Sequence, residues 1–224
     1  MSEPLRTTAC AAHGHPEFTI IVAGPIIPGY DRWLLSYLED AVAHGSRFRP
    51  GKTLDIGWST LQVIERPDTT LGLAERTGLN TWSEQVDRTL RDLWYQREVA
   101  ASVDLTSRLV FPKPSQLVAV RPCGLETSVF VLSRKEPLEV EDSGWHVPCI
   151  DKHEHTKSDW MTLYRLTDKM PFVTPFLALP LGTTVYIPWL RTTFTGRIRP
   201  KIMLDGEPLV PTPGSYLAML QADD

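Results

Sequence analysis

The sequence lacks any unbroken apolar run of the roughly 18 residues that a membrane-spanning helix needs. Its first residues carry Glu3, Arg6, His13, His15 and Glu17 where a secretory leader needs an apolar stretch. A cytoplasmic protein with no membrane partner is the expectation. Cysteine is scarce: Cys10, Cys123 and Cys149 are far apart and form no Cys-x-x-Cys pair. They suggest neither a disulfide framework nor a zinc ribbon, and reduced thiols are expected. A basic surplus is also missing, since 23 Lys and Arg face 27 Asp and Glu for a net charge of −4, which argues against a nucleic-acid partner. No Gly-x-x-x-x-Gly-Lys or Gly-x-Gly-x-x-Gly loop and no Gly-x-Ser-x-Gly elbow occurs. Residue patterns therefore name no cofactor and no catalytic residue.

What is present is an ordinary globular composition, 42% hydrophobic and 22% charged over 224 residues, enough for one large domain or two small ones. Proline is abundant at 19 residues, so short elements and many loops are expected. Residues 1–17 show no periodicity and read as a flexible arm. Phe18 to Ala23 reads as a strand. A helix follows, capped by Asp31, with Leu34, Leu35, Leu38, Ala41 and Val42 on one face and Gly45 at its end. Leu54, Ile56, Trp58, Leu61 and Val63 suggest one strand with an irregularity near Ser59, and Leu71 to Glu75 its hairpin partner. A second helix is expected from a cap at Thr81 or Ser83, with Val86, Leu90, Leu93, Trp94, Arg97 and Ala101 in its apolar stripe and Asp92 off it.

Phe111-Pro112-Lys113-Pro114 interrupts regular structure and marks a boundary. Beyond it, Leu117 to Arg121 and Thr127 to Ser133 read as a hairpin, and Trp145 to Ile150 as a third strand. Met161 to Leu166 suggests a short helix, and Pro171 to Leu179 a short apolar element. Thr183 to Ile187 is a further strand, a hairpin turns at Asp205-Gly206, and the last residues fray. The fold class is α+β, with mixed antiparallel sheets and a few short helices in two packed subdomains. Their spans are 18–112 and 115–210.

Charge is uneven along the chain. Between Glu136 and Asp159, seven carboxylates meet two lysines, so that segment is five charges negative while the rest is net positive by one. Concentrated carboxylates on one face steer association with a basic surface. Glu139, Glu141, Asp142, Asp151, Glu154 and Asp159 are therefore candidate partner-binding residues, with the neighbouring Trp160 as an aromatic anchor. The same segment offers an alternative. His146, Asp151, His153 and His155 have the ligand chemistry of a metal-dependent hydrolase, although His153-Glu154-His155 lacks the one-turn spacing of a zinc protease helix.

In the second half, Phe130-Val131-Leu132-Ser133-Arg134-Lys135-Glu136-Pro137 is followed by Asp142-Ser143-Gly144-Trp145, and later by Leu163-Tyr164 and Phe176-Leu177-Ala178-Leu179-Pro180-Leu181-Gly182. This ordered series resembles the immunity protein 33 family, a bacterial group associated with toxin gene clusters, over about residues 115 to 190. Many members follow the Trp with an aromatic residue and a Gly-Asp-Glu turn, whereas His146 to His153 intervenes here. The first half looks like the extension carried by a subset of longer members. The resemblance implies an immunity protein whose partner is a cognate bacterial toxin or effector, acting by binding rather than catalysis.

Overall fold

The computed structural model describes residues 4–25, 27–78, 81–150, 158–188 and 198–222. By its internal contacts the chain divides into two units, Met1–Trp94 and Tyr95–Asp224. The architecture is α+β.

The first unit is built on β1 (Leu5–Arg6), β2 (Thr19–Ile20), α1 (Tyr30–Ala43), β3 (Thr53–Ile56), β4 (Ser59–Glu65), β5 (Leu71–Arg76), β6 (Trp82–Ser83) and the start of α2 (Asp87–Ser102). Strands β3 to β6 form an antiparallel sheet in sequence order. β1 pairs with β2, and the Thr7 hydroxyl both donates to the Glu17 carboxylate at 2.5 Å and accepts from Phe18 N at 2.7 Å. Helix α1 buries Leu34, Leu38 and Val42, as its spacing predicts, but its N-cap is Gly29, and Asp31 sits within the first turn.

The stretch read as one irregular strand is two. Ile56 pairs with Ser59 across the Gly57-Trp58 turn, where Gly57 has φ 58°. Trp58 is buried in that turn, and its Nε1 donates to Asp92 Oδ2 at 3.3 Å. Helix α2 begins later than predicted because Trp82–Ser83 pairs with β5 instead. Its first turn is satisfied by a carboxylate from the sheet: Arg88 N and Thr89 N donate to Glu75 at 3.2 and 2.8 Å. Asp92, expected on the polar side, is buried, while Ala101 is exposed.

The second unit takes the remaining turns of α2 and adds β7 (Leu117–Val120), β8 (Val129–Arg134), β9 (Asp142–Val147), β10 (Asp159–Thr162), α3 (Leu163–Lys169), β11 (Thr183–Pro188), β12 (Lys201–Leu204), β13 (Glu207–Pro208) and α4 (Tyr216–Gln221). Strands β7 to β13 form one sheet in the order β10-β7-β9-β8-β11-β12-β13. All pairs are antiparallel except β7 with β9. The expected β7–β8 hairpin is thus absent. A 3-10 turn at Pro122–Leu125 leads the chain away, and β9 inserts between the two strands. Met161 belongs to β10, and α3 starts only at Leu163, capped by the Thr162 hydroxyl. The C-terminal residues expected to fray include α4, capped by Ser215.

The conserved-looking series of the sequence resemblance lies inside this unit. Arg134 is buried, and its Nη1 donates to the carbonyls of Val110 (2.8 Å), Leu177 (3.4 Å) and Leu179 (2.6 Å). Its guanidinium lies 5.4 Å from the ring centre of the fully buried Trp145, whose Nε1 donates to the same Leu177 carbonyl at 2.9 Å. Burial pulls the Arg134 pKa down to about 10. Gly144 has φ 75°, and its backbone passes so close to Lys135 that a Cβ would collide with the Lys135 carbonyl oxygen. Gly182 N donates to the Arg134 carbonyl at 3.0 Å. The Ser-Arg, Asp-Ser-Gly-Trp and Leu-Pro-x-Gly segments therefore converge on one buried cluster.

Two outcomes test this packing. Gly144→Ala combines left-handed strain of about 1 to 2 kcal/mol with a backbone collision. Gly214→Ala, at the same φ of 75° with nothing within 4 Å, carries the strain alone. In urea unfolding the first should lose at least about twice the stability of the second, and equal losses would refute the close approach. In the first unit, burial raises the Asp92 pKa against the opposing charge of Arg88, and burial raises that of Glu75. The folded state then holds these protons more tightly than the unfolded chain, so stability should fall as pH rises from the ordinary carboxylate range through the raised values. Asp92→Asn should flatten that decline in urea midpoints taken from about pH 4 to about pH 7; an unchanged slope would contradict it.

Candidate functional site

Between β8 and β9 the chain makes a turn that is shaped from within. The buried Asp142 carboxylate accepts from Leu138 N at 3.0 Å and from Gly144 N at 2.8 Å. Gln116, on the approach to β7, donates through Nε2 to the carbonyls of Val140 (2.9 Å) and Asp142 (3.1 Å) and accepts from Lys113 N at 2.8 Å. Leu117 N donates to the Glu141 carbonyl at 2.7 Å. With the main chain held this way, the side chains of 138–141 have little left to bond and point outward.

The result is an apolar and acidic surface on a fixed frame. Leu138 is 79% exposed and Val140 87%, each followed by an exposed glutamate, Glu139 and Glu141. Trp160, on the edge strand β10, is 47% exposed. Leu117, Leu138, Glu139, Glu141, Asp142 and Trp160 enclose a hollow of about 310 Å³. Neither Glu139 nor Glu141 is in an ion pair with a described residue. An aromatic and a leucine beside unneutralised carboxylates have the anatomy of a recognition surface, an apolar anchor with a charged rim.

The strand register extends this face across the sheet. Trp160 pairs with Ala119, Ala119 with His146, His146 with Ser133, Ser133 with Thr184, and Thr184 with Met203, so these side chains share one face. The opposite face carries the buried residues, including Leu132 paired with Val185 and Arg134 paired with Trp145. Beyond Trp160 the shared face opens into a groove of about 430 Å³ whose lining includes the cations Arg121 and Lys135 and the imidazole of His146. Burial, reinforced by Lys135 and opposed by Asp142, holds the His146 imidazole below its ordinary pKa, so it is neutral at pH 7. The face is acidic at the Leu138 end and cationic in the groove.

The structure sorts the sequence candidates. It brings Glu139, Glu141 and Trp160 together around one hollow. Asp142 also lines the hollow, but it is buried, with its carboxylate accepting the backbone amides that hold the turn. Asp159 is exposed but pairs with Val120, on the face opposite Trp160, so it does not share the hollow. Asp151 and Glu154 lie outside the described residues, as do His153 and His155 of the alternative metal set. Among the described residues no group of three or more His, Cys, Asp or Glu is placed to hold a metal ion. Sequence reasoning missed Leu138, Val140 and Gln116. The signal for the first two was an apolar-acidic alternation between Pro137 and Asp142, hidden because alternation suggests a strand.

Among the described residues no helix is long and apolar enough to cross a membrane. Searches of curated proteins and of solved structures find no match to this chain. A family model, the Imm33-like domain, matches residues 95–189. That span begins where the second unit begins and contains the Arg134–Trp145 cluster and the hollow beside Trp160. Residues 95–189 are thus similar to an Imm33-like domain, consistent with the resemblance to the immunity protein 33 family.

Proposed function

We propose that this chain is an immunity protein that binds a cognate bacterial toxin and neutralises it by occupancy. The observation that carries the reading is the preorganised surface at Leu138–Glu141 and Trp160, where exposed apolar side chains stand beside carboxylates with no ion pair among the described residues, on a turn fastened by Asp142 and Gln116. Ordering entropy is spent in folding rather than in binding, which favours affinity. Inhibition by occupancy asks for no catalytic group.

The charge of Glu139 and Glu141 favours a partner with a basic cleft, such as a nuclease toxin, whose substrate phosphates these carboxylates would replace. Trp160 and Leu138 would fill the apolar floor of that cleft. A target in the cytoplasm, within the competition between bacteria that deploy such toxins, suits this reading.

The test is to co-purify the protein with the products of its neighbouring genes and to follow the complex formed with a toxin-domain protein by stopped-flow or surface-plasmon kinetics. Glu139→Lys with Glu141→Lys should slow association by roughly 10-fold or more at low salt and lose most of the salt dependence. Trp160→Ala should instead speed dissociation, roughly 10-fold or more. Asp159→Lys, on the other face, should change the on-rate far less. All of these exposed substitutions should leave stability within about 0.5 kcal/mol each. Folded variants that bind as the parent does would overturn the assignment of this surface.

A further inference from the structure

The three cysteines do not share one environment. Cys10 is completely buried in the first unit, whereas Cys123 and Cys149 are both partly exposed in the second. Cys123 lies in the Pro122–Leu125 turn after β7, and Cys149 lies two residues past the end of β9, the parallel neighbour of β7. The two backbones run against each other there. Arg121 N donates to the Val147 carbonyl at 2.9 Å, and a Cβ on Gly124 would collide with the Pro148 carbonyl oxygen. Only a glycine next to Cys123 allows the turn to lie this close to the residue before Cys149. The side chains are neighbours as well, since the Cys149 thiol acts electrostatically on that of Cys123.

Two neighbouring thiols, on backbones that approach this closely and are joined by a hydrogen bond, are placed for the short span that a disulfide bridges. We propose that Cys123 and Cys149 form an oxidisable dithiol, a covalent modification site that closes to an intramolecular disulfide when the protein meets a peroxide. In the first step one thiolate attacks a peroxide oxygen. The O–O bond breaks, water or an alcohol leaves with a proton, and the sulfur becomes a sulfenic acid. In the second step the other thiolate attacks that sulfur, and hydroxide departs and takes up a proton as water. Two thiols lose two protons and two electrons, and the peroxide gains them.

The reaction has a pH signature. Burial and the neighbouring thiol both push the Cys123 thiol above its ordinary value, so little of it is thiolate at neutral pH. Closure is therefore slow at pH 7 and accelerates as pH rises. Its structural consequence is local. Pro148 and Ile150, which flank Cys149, line the cationic groove, so the disulfide ties one wall of that groove to the β7 turn. In a reducing cytoplasm the bond would open again, making the tie conditional on oxidative stress. This inference stands independently of the toxin-binding reading.

The experiment treats the full-length protein with a few equivalents of hydrogen peroxide, alkylates the remaining thiols in denaturant and measures intact mass. The parent should lose two hydrogens and fall from three alkylated cysteines to one, which peptide mapping places at Cys10. Trypsin should release residues 109–134 joined to residues 136–152, because Lys113 and Arg121 precede proline and resist cleavage. The yield per minute should rise with pH. Cys123→Ser and Cys149→Ser, both at partly exposed positions and checked by circular dichroism, should show no loss of two hydrogens. A parent that accumulates sulfinic acid or intermolecular dimers, or that links Cys10, would overturn the proposal, as would one that keeps three free thiols.

Discussion

A single buried cation organises the second unit. Arg134 lies inside a sheet core with no carboxylate among the described residues to balance it, and its charge is met by the carbonyls of Val110, Leu177 and Leu179 and by the face of Trp145. A guanidinium held by carbonyl oxygens is costly to bury and more costly to strip of its partners, so every segment supplying a carbonyl is fixed in place. Leu177 is bound twice, by Arg134 and by Trp145, which ties the chain after α3 to both central strands. The next residues continue the arrangement, with Lys135 N donating to the Gly144 carbonyl at 2.8 Å and Gly182 N donating to the Arg134 carbonyl.

The proposed recognition surface depends on that cluster at one remove. β8 and β9 are locked together at Arg134 and Trp145, so the seven residues between the strands must turn within a short span. Asp142 supplies the acceptor that closes the turn, and Gln116 anchors it to the chain entering β7. Once the backbone groups are satisfied internally, Leu138, Glu139, Val140 and Glu141 are free to serve a partner. The motif that marks the family thus builds the scaffold, and the residues that would meet a partner sit beside it.

Much of this was legible in the sequence where the signal is local. The i, i+4 spacing of Leu34, Leu38 and Val42 announced α1, and the Asp205-Gly206 turn announced the β12–β13 hairpin, with φ of 52° and 89° at those residues. The acidic bias of 136–159 directed attention to the turn that carries Leu138–Glu141. Non-local pairing was not legible. Nothing in Leu117–Arg121 or Thr127–Ser133 says that β9 will separate them, because the choice rests on the parallel β7–β9 ladder and on the Ser143 hydroxyl donating to the Leu117 carbonyl at 2.6 Å. The opening residues looked featureless because polar side chains, Thr7 and Glu17, hold them rather than an apolar stripe. Asp142 and Asp92 read as surface charges because charge patterning counts carboxylates without knowing which amides or indoles face them.

The central claim is that the buried Arg134–Trp145 cluster serves the fold while the Leu138–Glu141 turn and Trp160 serve a partner. Hydrogen exchange followed by mass spectrometry, on the protein alone and with a toxin-domain protein that co-purifies with it, separates the two roles directly. Amides of β8 and β9 should be slow in both states, and new protection on complex formation should concentrate at residues 138–141 and 159–161. A footprint confined to the first unit, with residues 138–141 and 159–161 unchanged in the complex, would contradict the account.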